Sequence, residues 1–211
     1  MADLEVLYTM ANQEETDVEE RKELLDLRDQ GLNSIQLKDE DKPDILILDN
    51  NNLSKLDGLD KCTFLTQFSA CSNHIVRMGG LQTLTSLTVL SLSNNSIVAI
   101  EGLEELFQLK WLDLSSNSIK VIEHLPRGRY LHYLDLSDNA ITQFSDISNL
   151  ENLKTLLLHS NNISSLKPAG TCLPTNLEIL SLADNSVYNL NEICHLAMLS
   201  NLKQLSLANN P

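Results

Sequence analysis

Asparagine recurs along this chain at a fixed interval. Asn51, Asn73, Asn95, Asn117, Asn139 and Asn161 lie 22 residues apart in every interval; Asn185 follows after 24 and Asn210 after 25. A period of this length marks one structural unit repeated and stacked, because a unit so short cannot bury its own apolar face. Each Asn has an apolar residue five and three positions before it, and most have another two positions after.

The stretch Trp111-Leu112-Asp113-Leu114-Ser115-Ser116-Asn117-Ser118-Ile119 shows the pattern, L-x-L-x-x-N-x-I, which is the core of a leucine-rich repeat. Phe68-x-Ala70-x-x-Asn73-x-Ile75 is the loosest copy, and a degenerate first copy begins at Leu25-x-Leu27-x-x-Gln30. Alternation at Leu112 and Leu114 points both side chains to one face of a short strand. The Asn turns the chain, and its amide is placed to satisfy backbone groups in that turn. Stacking predicts a ladder of Asn51, Asn73, Asn95, Asn117, Asn139, Asn161, Asn185 and Asn210. Ile119, Ile122 and Leu125 return at three-residue spacing to fill the core from the opposite side. The fold class expected is α/β: a right-handed leucine-rich repeat solenoid with a parallel concave β-sheet and short 3-10 or irregular convex segments. A 22-residue unit leaves little room for a convex helix, so α-helix is expected only where the units lengthen.

Composition agrees. Leucine supplies 43 of 211 residues while aromatics make up 4 %, so aliphatic side chains must fill the core. The formal net charge of −14 makes the chain a poor non-specific binder of nucleic acid or anionic membrane. No apolar run is long enough to span a bilayer, and Met1-Ala2-Asp3-Leu4-Glu5 has neither the basic nor the apolar region of a secretory signal. Cys62, Cys71, Cys172 and Cys194 form no CxxC and no metal-ligand spacing, which reads as reduced thiols in the cytosol. The N-x-S/T sequons at Asn52, Asn94 and Asn162 follow from an Asn- and Ser-rich repeat.

Three regions are expected. Residues 1–20 are an acidic leader, mobile or a short helix, with Leu4, Leu7 and Tyr8 on one possible face. Residues 21–44 hold the degenerate first repeat and cap the N-terminal edge of the sheet, where charge discourages edge-to-edge pairing. Residues 45–211 hold about eight repeats, the last truncated. The chain stops just after Asn210 with no capping sequence, so a fragment of a longer protein is expected.

The sequence lacks a G-x-S-x-G elbow, a phosphate-binding glycine loop and an H-E-x-x-H motif, so no catalytic residue, cofactor or metal is assigned and an enzyme is not expected. His159 and Cys71 fall near the concave face and read as a solvated histidine and a plain small residue. The concave strand positions are free to vary. Trp111 and Tyr133 are neighbours there, with Asp113 and Asp135 beside them and Leu157 and Ile179 further along. Aromatics flanked by carboxylates suit an apolar protein segment carrying basic residues. The other reading is that Trp111 and Tyr133 lie flat on the sheet and stabilise it.

The 22-residue unit ending N-x-I-x-x-I-x-x-L resembles the SDS22-like class of intracellular leucine-rich repeats. Particular stretches are closer to one family. LILDNNNLSKLDGLDKC at Leu46–Cys62, VRMGG at Val76–Gly80, LDLSDNAI at Leu134–Ile141, LKTLLLHSN at Leu153–Asn161 and LNEICHLAMLSNL at Leu190–Leu202 resemble the N-terminal repeats of a centrosomal leucine-rich repeat family. That resemblance implies a non-catalytic scaffold in the cytoplasm and cytoskeleton, at the distal end of the centriole. It implies action with the centriolar coiled-coil protein of 110 kDa to cap the centriole, limit its elongation and suppress cilium assembly. The family's calmodulin-binding segment would lie beyond Pro211, and the acidic leader does not match the family. The alternative is a regulatory subunit of protein phosphatase 1 of the SDS22 type, docking through the same face. The oligomeric state is left open.

Overall fold

The computed structural model describes residues 23–38 and 41–211. The acidic leader expected at residues 1–20 lies outside the described residues, as does the start of the segment 21–44. Nine strands of three residues each are present among the described residues: β1 (Leu24–Asp26), β2 (Ile45–Ile47), β3 (Gln67–Ser69), β4 (Val89–Ser91), β5 (Trp111–Asp113), β6 (Tyr133–Asp135), β7 (Thr155–Leu157), β8 (Ile179–Ser181) and β9 (Gln204–Ser206). They form one parallel sheet in sequence order, so each strand pairs only with its neighbours in the chain. The degenerate first copy supplies β1, in register with β2.

Register follows from the repeat. The middle residues Leu25, Leu46, Phe68, Leu90, Leu112, Leu134, Leu156, Leu180 and Leu205 stand opposite one another across the sheet. From Leu46 to Leu180 this row is buried, Phe68 included. Phe68 takes a leucine's place where Ala70 stands at the next inward position, a large-for-small exchange that keeps the coil filled. Ile119 and Ile122 close the core from the convex side, with Leu125 half-buried beside them.

The ladder asparagines join successive coils. The Asn117 side-chain amide donates to the carbonyls of Leu114 and Ser115 in its own turn and of Leu92 in the coil before, each at 3.0 Å. Its oxygen accepts the Ile97 N–H at 2.9 Å. The same set recurs from Asn51 to Asn210. Two hydrogens serve three carbonyls, so the amide is fully used. The residue before each Asn bends left-handed: Asn50, Ser72, Asn94, Ser116, Asp138, Ser160, Asp184 and Asn209 all have φ between 52° and 57°. Short polar residues tolerate that conformation best after glycine.

The convex side is turns in the 22-residue units. The longer units carry the helical segments: α1 (Ala169–Cys172) in the 24-residue interval and the 3-10 segment η1 (Leu190–Met198) in the 25-residue interval. Glu192 of η1 is buried and accepts from the Ser165 hydroxyl at 2.7 Å and the Leu166 N–H at 2.9 Å, tying η1 to the coil before. A second left-handed series, Gly58, Gly80 and Gly102, marks the convex turn 22 residues apart, and His124 stands next in line at φ 51°. No helix among the described residues is long and apolar enough to cross a membrane.

Removing one rung tests this architecture. Asn117→Ala leaves the Ile97 N–H without its acceptor and takes one of the donors from each of the Leu92, Leu114 and Ser115 carbonyls, and should cost about 1–3 kcal/mol. Gly80→Ala should also destabilise, because its φ is +102° and a Cβ there would sit 2.7 Å from the Leu56 carbonyl oxygen. Urea melts of both variants should show lowered midpoints; midpoints equal to wild type contradict the assignment of these contacts.

Candidate functional site

Three-residue strands leave two outward positions each. The first and third residues face the concave surface while the middle one is buried. On β2, β3 and β4 the outward residues are themselves buried. On β5 to β8 they are half-exposed, so between the two end strands the accessible concave surface begins at Trp111.

Trp111 and Tyr133 are register partners. Their rings stack face to face, with centroids 3.5 Å apart and planes 6° from parallel. The Trp111 Nε1 is buried and has no hydrogen-bond acceptor. Asp113 and Asp135 stand opposite each other two residues on. Asp113 accepts from the Ser115 N–H at 3.0 Å, the Ser115 hydroxyl at 2.7 Å and the Ser91 hydroxyl at 3.0 Å. Asp135 accepts from the Ser137 N–H at 2.9 Å, the Ser137 hydroxyl at 2.6 Å and the Tyr133 hydroxyl at 3.2 Å. Burial pushes the Asp135 carboxyl above the ordinary aspartate range. The Ser137 hydroxyl and N–H pull it back, the Asp113 charge adds to the rise, and His159 opposes it. Leu157 is in register with Asp135 and adjoins the carboxylates, while Ile179, in register with Thr155, stands diagonally one strand on.

Cys71 lies within a hydrogen-bonded chain. Asp49 accepts from the Ser69 hydroxyl at 2.6 Å and the Cys71 N–H at 2.8 Å. The Cys71 Sγ is 3.0 Å from the Ser91 Oγ, whose hydroxyl donates to Asp113. With that hydroxyl committed, the thiol is the donor to Ser91. Burial first, then the Asp49 charge, raises its pKa, so the sulfur is held as thiol and is a poor nucleophile. All four cysteines are free thiols. Among the described residues no cluster of His, Cys, Asp and Glu is arranged to hold a metal.

One feature escapes a sequence reading. A cleft of about 270 Å³ is lined by Glu104, Glu123, His124, Arg127, Asp146 and Leu150, among others. The His124 Nδ1 is 2.9 Å from Glu104. The signal available in the sequence was the break at residue 124 in the 22-residue glycine series.

Two leucine-rich repeat family models match the chain, one over residues 110–211 and one over residues 86–107. An internalin from Listeria monocytogenes is similar in structure, with a TM-score of 0.65 and 30 % identity over 78 % of this chain and 48 % of that one. Sheet, ladder and these matches together define the leucine-rich repeat fold. More particularly, 55 residues are 60 % identical to the centrosomal protein of 97 kDa from Mus musculus, and 53 residues are 55 % identical to its Homo sapiens counterpart. The mouse match covers 26 % of this chain, and each match covers 6 % of the curated relative.

The Asp135 environment makes a signed prediction. A carboxyl with a raised folded pKa binds its proton more tightly folded than unfolded. Its contribution to stability is therefore present below the unfolded value, about 3.9 for aspartate, and lost as pH rises through the folded value. Asp135→Asn keeps an acceptor for Ser137 and removes the charge. The variant should be more stable than wild type at neutral pH, with the difference shrinking below the ordinary aspartate range. A urea-midpoint difference that does not change with pH contradicts this.

Proposed function

We propose that this chain is a non-catalytic, protein-binding scaffold of the centrosome. The observation that carries the reading is the 60 % identity over 55 residues to a centrosomal protein. In this reading the chain works at the distal end of the centriole with the centriolar coiled-coil protein of 110 kDa. Together they cap the centriole, limit its elongation and restrain cilium assembly. A leucine-rich repeat sheet suits the role, since it presents a long concave surface whose outward residues carry little of the fold's stability. The binding residues in this reading are Trp111, Asp113, Tyr133, Asp135, Leu157 and Ile179, which line the accessible half of that surface.

Localisation in cycling cells tests both parts. The tagged chain should mark centriole ends together with the coiled-coil partner. Trp111→Ala with Tyr133→Ala, first shown by circular dichroism to be folded, should lose that position. Failure of the wild-type chain to reach the centriole contradicts the scaffold reading. Equal localisation of both contradicts the choice of surface.

A further inference from the structure

We propose that the concave face from β5 to β8 binds an α-helical segment of a partner protein, which sets an arginine over Asp113 and Asp135 and an apolar side chain over Leu157 and Ile179. This deepens the scaffold reading and rests on it for the choice of face.

The charge of the occupant comes from the carboxylates. Asp113 and Asp135 are directly opposite in register, an arrangement of like charges that is unfavourable by itself. The hydrogen bonds they accept come from hydroxyls and a backbone N–H in each case. No ion pair among the described residues joins either carboxylate to a Lys or Arg. A cation set between them relieves the repulsion and recovers the cost of their partial burial. A guanidinium fits better than an ammonium: its planar fork donates to two carboxylates at once, and it stacks on aromatic faces such as the adjoining Trp111–Tyr133 pair. The net charge of −14 steers a cationic segment toward the chain.

The helical form comes from the backbone. β5 to β8 are each paired on both sides, so an extended peptide finds no strand edge to join there. A helix satisfies its own backbone. Three residues of strand make a floor about 10 Å wide, and a helix with its side chains is about 10–12 Å across. From the β5–β6 pair to the β7–β8 pair is two strand spacings, about 10 Å. Two turns of helix cover about that rise, which places the arginine and the apolar residue seven positions apart on one face.

Trp111 is the chain's single tryptophan, so its fluorescence reports on this surface alone. The probe is an alanine-based peptide of about 20 residues, long enough to be helical by itself, with Arg and Leu seven positions apart. The control peptide replaces Arg by citrulline, which keeps the shape and removes the charge. Titrated into the full chain, the Arg peptide should change Trp111 emission and bind at least about tenfold more tightly than the citrulline peptide. The preference should weaken with added salt. Asp113→Asn with Asp135→Asn, shown by urea melt to be folded, should bind the two peptides equally. Absence of binding, equal affinity of the two peptides for wild type, or a preference that survives in the double variant overturns the proposal. A chain that reaches centrioles but ignores the Arg peptide overturns only this inference. One that prefers the Arg peptide but does not reach centrioles overturns only the scaffold reading.

Discussion

The structure depends on what one asparagine side chain does at the end of each strand. After the strand the chain must turn through a left-handed residue, and the turn leaves backbone carbonyls facing inward. Asn117 fills that need with a single group: its amide serves Leu114 and Ser115 in its own coil and Leu92 in the previous one, while its oxygen takes the Ile97 N–H. A shorter side chain does not reach across the coil, and a carboxylate has no hydrogens to give. The same group therefore closes one unit and fastens it to the last. Stability is then a sum of coils and nearest-neighbour joints. Every strand meets only the strands before and after it in the chain.

That economy releases the concave face for function. Within a three-residue strand, Leu112 or Leu134 holds the core and the two flanking residues do not. They can be chosen for what they recognise. In the middle of the sheet the choice is Trp111 and Tyr133 stacked together, with Asp113 and Asp135 held by their own serines. These hydroxyl and N–H contacts fix the carboxylates without neutralising them. The stack also carries a cost, the buried Trp111 Nε1 without an acceptor. On β2 to β4 the same positions are buried, and the two serines among them join in the chain from Asp49 through Ser69, Cys71 and Ser91 to Asp113.

Much of this was legible in residue spacing. The interval between asparagines predicts the sheet order, the register and the ladder, because all three depend on the period alone. Asn, Ser and Asp before every ladder Asn are the residues that accept a left-handed turn. The lengthened last intervals are where α1 and η1 form. The site was legible only as a list of outward positions. That Trp111 and Tyr133 lie face to face, that burial raises the Asp135 pKa, and that Cys71 sits inside a hydrogen-bonded chain all depend on rotamers and distances across coils, which period does not encode. The convex cleft at His124 and the buried Glu192 escape for the same reason: each joins residues of neighbouring coils through side chains whose reach is set by packing.

Hydrogen exchange of single backbone amides tests the central claim most directly. The N–H groups of Ile75, Ile97, Ile119, Ile141 and Ile163 lie in turns beyond the sheet, and each donates to the asparagine side chain of the next coil at 2.9–3.0 Å. If the ladder holds the coils together, these amides should exchange as slowly as those of the β-strands, by opening of the stacked coils. Exchange at the rate of ordinary turn amides, with the strands still protected, would show that the coils are held by leucine packing alone and that the asparagines are not the joints.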